Sequence, residues 1–192
     1  MLIKDIGQVI GGFVFREAIK PDNNGDIYVF QAKDITAGEA IKDIGTLTKI
    51  SHNIPEYAGH LKKNDILLIA RGMRSGSFRS AVFSSDAPNV IASSSIHVIR
   101  ITAVGVMPEY VSRYLNSKVG QDALSQIVSG SYIGALPRKE VEKIKIPIPT
   151  LEKQQVVVDL DRNIREQEKI IDRQNEIKHN LMNATFTSLA AK

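Results

Sequence analysis

The 192-residue chain contains no cysteine and no tryptophan. Without thiols no disulfide can staple it, and every thiolate metal site is excluded. Apolar runs are short: none approaches the roughly 18 residues that a membrane-crossing helix needs. The opening MLIKDIGQVIGGFVFRE also lacks a basic segment followed by a cleavage site. These absences lead us to expect a soluble, unexported, cytoplasmic protein with no membrane partner. The nucleotide and metalloprotease signatures G-x-x-x-x-G-K-[ST], G-x-G-x-x-G and H-E-x-x-H are absent as well. His52, His60, His97 and His179 are scattered without a partner at ligand spacing, so we expect no metal and no cofactor. The run Ser93 to Ser95 lacks the glycine elbow that exposes a nucleophile, and reads as loop or strand edge.

One pattern imitates an enzyme. Pro21-Asp22 followed by Gln31-Ala-Lys33 has the outline of the PD…(D/E)xK set of metal-dependent nucleases. Glutamine stands where a second carboxylate should hold Mg²⁺, a cation that prefers charged oxygens. PDNNGD is moreover a turn sequence, with Pro, Asn and Gly where the backbone needs them. No N-P-P-[FY] or D-P-P-Y stretch of the kind amino-methyltransferases use is present either. We therefore assign no catalytic residue; if DNA is modified, another chain does it.

Hydrophobic residues make up 43% of the chain, enough for a proper core in one domain plus an appendage. The formal charge of +4 is unevenly placed. Residues 1–150 hold 18 Lys and Arg against 14 Asp and Glu, whereas 151–192 hold 7 against 7. Within the first part, residues 62–118 carry eight basic groups and three acidic ones. Such a local excess is the form an electrostatic footprint for nucleic acid takes. At its centre lies RGMRSGSFRS, residues 71–80, directly after the apolar run ILLIA. Arg71, Arg74 and Arg79 bring planar guanidinium forks, suited to phosphate oxygens and guanine edges, and the glycines allow close backbone approach.

From residue 1 to about 106 short β-branched runs alternate with turn formers: DIYVFQA, TLTKI, NDILLIA, RSAVF, NVIAS and IHVIRIT. This predicts a β-rich domain with a curled or barrel-like sheet. PEYVSRYLNSKVGQDALSQIV predicts a helical stretch, LPRKEVEKI one or two helical turns, and IKIPIP a strand. Pro147 and Pro149 then bar further regular pairing. Thr150 is a suitable cap and Glu152 suits the positive end of a helix, which starts near Leu151. No glycine or proline interrupts the chain from there to Leu189, allowing a helix of about 58 Å at 1.5 Å per residue. Leu160, Ile164, Ile171, Ile177 and Leu181 share an apolar stripe on it, with Gln167 and Gln174 as polar insertions. A narrow stripe on so long a helix calls for a second long helix beside it.

The fold expectation is thus α+β: a β-rich domain with short helices over residues 1–149, then one long helix over 150–192 that pairs in a coiled-coil-like dimer. In its order of pieces the chain resembles the specificity subunit of type I restriction-modification systems. LKKNDILLIARGMRSG resembles the strand and loop of the target recognition domain in that family. The densest match is SGSYIGALPRKEVEKIKIPIPTLEKQQ: glycine and an aromatic, a short helix, a P-x-P-x-L strand end, and glutamine soon after. Where the family commonly has Glu-Gln this chain has Lys153, Gln154 and Gln155. It also has one recognition domain and one long helix, where family members usually have two of each.

The resemblance implies a half-subunit that reads a few base pairs of double-stranded DNA. It also implies a homodimer, joined through the helix, that reads a symmetric bipartite site. Methyltransferase subunits would dock alongside, with restriction subunits as an optional further partner. For DNA contact we select Arg71, Arg74, Ser75, Ser77 and Arg79, with Lys62 and Lys63 nearby on phosphate, and Tyr132 and Arg138 as a second patch. For the dimer interface we select Leu160, Ile164, Ile171, Ile177 and Leu181. A non-catalytic interaction module or regulator that mimics a specificity subunit without reading DNA remains the alternative.

Overall fold

The computed structural model describes residues 1–51, 59–72, 78–129 and 134–190. In chain order the first elements are α1 (Ile3–Ile6), β1 (Gly7–Gly11), β2 (Ile27–Phe30), a 3-10 turn (Ala32–Asp34), β3 (Ala40–Ile41) and β4 (Thr48–Ile50). Then come β5 (Ile66–Ile69), β6 (Arg71–Gly72), β7 (Ser80–Phe83), β8 (Val90–Ala92) and β9 (Ile96–Ile101). The rest is α2 (Pro108–Asn116), α3 (Lys118–Gln126), β10 (Gly134–Ala135), α4 (Arg138–Val141) and α5 (Leu151–Ala190). The chain forms two compact units, Met1–Gln154 and Gln155–Lys192.

The β-rich reading of the first unit holds, but pairing is divided among three sheets instead of one curled sheet. The largest has the order β1-β9-β5-β7-β3, antiparallel except where β3 meets β7. A second is β4-β2-β8, and a third pairs only β6 with β10. Every residue of β5 (ILLI) and β7 (SAVF) is buried, which is why these central strands read as continuous rather than alternating apolar runs. Leu67, Ile69, Ala81, Phe83 and Val98 form one core cluster with Phe30, Val90 and Ala92 of the three-stranded sheet. The Phe30 and Phe83 rings meet edge to face at 6.2 Å.

The structure divides one expected element, removes another and adds two at the N-terminus. The helical stretch after Pro108 is two helices, because Ser117 sits at an extended ψ of 161° between them. Its hydroxyl donates to the Tyr114 carbonyl at 2.6 Å and accepts from the Gly120 amide at 3.2 Å, ending one helix and starting the next. IKIPIP is not a strand; only Lys145 makes an isolated bridge, to Leu2. The N-terminal run, which carried no assignment of its own, forms α1 and the edge strand β1, with Ile3 and Ile6 fully buried.

The long helix starts at Leu151 as expected and runs 40 residues, about 60 Å. Its first turn belongs to the first unit, where Gln154 is completely buried. The Gln154 amide accepts from Met107 N–H at 2.9 Å and donates to the Gly105 and Pro149 carbonyls, each at 2.8 Å. The glutamine of the P-x-P-x-L…Q pattern is therefore a structural clamp. Among the described residues no helix is long and apolar enough to cross a membrane.

Candidate nucleic-acid interface

Two short strands bring together what the sequence separates by some sixty residues. β6 and β10 pair antiparallel, Gly72 opposite Gly134 and Arg71 opposite Ala135. Gly72 is the residue before 73–77 and Gly134 the residue after 130–133, and these two glycines face each other in the ribbon. Gly134 is buried, and a Cβ there would lie 2.5 Å from Val128 Cγ1 and 3.3 Å from the Gly72 carbonyl oxygen. Ser129 closes the second loop by exchanging both backbone hydrogen bonds with Ala135, at 2.9 and 2.8 Å.

The far root of the first loop is clamped by the helix pair. Phe78 is fully buried, and its carbonyl accepts from the Gln121 side chain at 3.0 Å. Asn116 acts as a substitute strand for Ser80: its oxygen accepts the Ser80 N–H at 2.9 Å and its nitrogen donates to the Ser80 carbonyl at 2.8 Å. Buried Ser80 also places its hydroxyl against the Ser112 carbonyl at 3.0 Å. Arg79 sits between these anchors with its side chain exposed, and its carbonyl accepts from Ile69 N–H.

Behind β10 stands His97 of β9. Its Nε2 lies 2.7 Å from the Leu136 carbonyl, which can only accept, so Nε2 carries the proton. Nδ1 is buried without a partner. Burial lowers the His97 pKa from its ordinary value; the hydrogen bond to Leu136 opposes this, and nearby Arg138 adds to it. His97 is thus a neutral brace between the sheet and the arm of the second loop.

Positive charge is unevenly used. Arg100 donates from Nε and Nη2 to the buried Asp65 carboxylate at 2.8 and 2.7 Å, which raises the guanidinium pKa. Asp65 also accepts the Lys62 N–H at 2.7 Å. Lys63 pairs with Asp86 at 2.7 Å and Lys118 with Asp122 at 3.5 Å. Arg71 and Arg79, by contrast, are exposed and make no ion pair among the described residues. The excess that remains free therefore includes the two cations at the roots of the first loop.

Arg74, Ser75, Ser77 and Tyr132 lie outside the described residues. Arg138 opens α4 four residues after Gly134, half-exposed and loosely paired with Glu142 at 3.5 Å. Lys62 and Lys63 are exposed and lie beyond the opposite end of β5 from Arg71, across a strand of about 13 Å. Sequence reading missed His97, Gln121 and Asn116, whose long-range partners lie 36 to 43 residues away, where no short-range pattern signals the contact.

The nuclease-like pattern resolves as turn chemistry. Asp22 accepts from Asn24 N–H at 3.0 Å and from the Ser51 hydroxyl at 2.7 Å, and Gln31 donates to Thr48 at 3.2 Å. Among the described residues no group of three or more His, Cys, Asp or Glu could hold a metal ion. In the second unit Leu160, Ile164, Ile171, Ile177 and Leu181 are 46–68% exposed.

Comparison with known proteins agrees with this architecture. The family model for the type I restriction modification DNA specificity domain matches residues 1–179. The type I restriction enzyme MjaIX specificity subunit of Methanocaldococcus jannaschii is 27% identical over 179 residues, covering 89% of this chain and 40% of that protein. A solved chain from work on complex assembly and conformational transition of the type I R-M system superposes with a TM-score of 0.64 at 16% identity, over 90% of this chain and 39% of that one. The type I S subunit from M. genitalium gives 0.57 at 14%, over 86% and 38%, and the HsdS subunit from Thermoanaerobacter tengcongensis 0.55 at 18%, over 90% and 38%. The chain spans about two fifths of the length of each of these relatives. With one β-rich unit, one long helix and a family match running through both, this chain belongs to the type I restriction-modification DNA specificity family.

Proposed function

We propose that the chain reads DNA sequence through the two loops 73–77 and 130–133, and that a second copy, joined through α5, supplies the other half of a symmetric bipartite site. The reading rests above all on the β6–β10 pair, which sets Gly72 opposite Gly134, with Arg71 and Arg79 exposed and in no ion pair among the described residues. Phosphate contacts position a protein on the duplex without specifying sequence; arginine forks on guanine O6 and N7 specify. The rigid roots supply the preorganisation that such contacts need. In this reading Lys62 and Lys63 face a different stretch of backbone or a protein, methylation belongs to docked methyltransferase subunits, and this chain is not catalytic.

The test is gel-shift binding to random duplexes at several salt concentrations, with and without a type I methyltransferase subunit. Steep salt dependence with one preferred bipartite sequence is expected. Replacing Arg74 or Arg79 by alanine should cost about 1–3 kcal/mol where the arginine reads guanine and relax one base position of the site. Failure to bind any duplex, even with the methyltransferase present, would instead identify an interaction module that does not read DNA.

A further inference from the structure

A groove of about 480 Å³ runs between edge strand β1 and helix α4, bordered by Lys4, Gly7, Gln8, Ile10, Arg138 and Glu142. Gly11 at the close of β1 lies opposite His97, which holds Leu136, and Arg138 follows two residues later. Lys4 and Gln8 are exposed, and Lys4 makes no ion pair among the described residues. Glu142 is the groove's carboxylate, and its hold on Arg138 is a 3.5 Å contact at a half-exposed site. Pairs of that kind are weak and are readily exchanged for a better anion.

We propose that this groove seats one phosphate of the DNA backbone, gripped by Lys4, Gln8 and Arg138, with Glu142 as the anion that the phosphate displaces. The assignment rests on the recognition reading above and adds to it a residue set with the opposite signature. Guanidinium and ammonium groups suit phosphate oxygens, and an amide adds a neutral donor. Two cations and one displaceable carboxylate leave the groove attractive to an anion, yet it offers no pattern that could tell one base from another. Its task is to set where along the duplex the loops land.

The chain assembled with the methyltransferase subunit is titrated with its preferred duplex across a salt series, as wild type, Lys4→Ala and Glu142→Gln. Lys4→Ala should weaken all sequences equally and reduce the salt slope by about 0.9, equivalent to a change of about 3.5-fold in the affinity ratio between about 50 and about 200 mM salt. Glu142→Gln should bind every duplex more tightly than wild type, a gain that misfolding cannot produce. If wild type binds with steep salt dependence while both variants keep its slope and affinity, the groove assignment fails and the loop reading stands. A change of base preference in Lys4→Ala also overturns it. If wild type binds no duplex, both readings fail together.

Discussion

At the scale of single residues, the first unit depends on a few buried polar side chains. Buried Asp65 relies on the two-pronged bond from Arg100 and on the Lys62 amide. Truncating Arg100 leaves that carboxylate without its counter-charge, and Arg100→Ala should lower stability by about 3 kcal/mol, read from the urea midpoint. His97 gives a pH signature. Its folded-state pKa lies below the ordinary 6.5, so the unfolded chain takes up the proton more readily. Its contribution is complete above about pH 6.5 and is lost as the pH falls through the folded value. His97→Gln, which keeps a donor for the Leu136 carbonyl, should show a smaller loss of urea midpoint between pH 7.5 and 5.5 than wild type. An identical loss in both proteins would remove His97 from the account.

At the scale of elements, the candidate site depends on the ribbon of β6 and β10 and on the helices that clamp it. Gly134→Ala drives a Cβ to 2.5 Å from Val128, whose β-branched side chain has few alternative rotamers. β10 must then shift against β6, and duplex affinity should fall several-fold more than stability does, measured by gel shift and urea unfolding on the same variant. Gln154 works in the other direction, fastening the first turn of α5 to the 105–107 turn and to Pro149. Gln154→Ala leaves three backbone groups without their partner and should cost about 1–3 kcal/mol for each that stays dry. Neither residue stands out by composition. The apolar runs and breakers announced most of the strands and the start of α5, because burial and capping are local and periodic signals. The ribbon was not legible: two-residue strands built on glycine have no periodicity, and their pairing spans some sixty residues.

At the scale of the molecule, the apolar stripe of α5 is the ground for the proposed second copy. Val157, Leu160, Ile164 and Ile171 are 42–60% exposed, a cost that pairing with a like helix would remove. Ile164→Asp combined with Ile171→Asp should give monomers by sedimentation velocity while the first unit keeps its unfolding transition. A wild type that sediments as a monomer without partners would count against pairing through this helix.

What the sequence determined by itself was the class of the molecule: a basic β-rich unit, a proline pair, a long uninterrupted helix, no catalytic signature. Each of these follows from composition or from short-range spacing. The tertiary structure decided which charges find partners and which distant residues meet. Lys63, Arg100 and Lys118 find carboxylates, Arg71 and Arg79 find none among the described residues, and the β6–β10 pair sets Gly72 opposite Gly134. Those outcomes depend on contacts between residues far apart in the chain, where no local pattern of side chains constrains the partner.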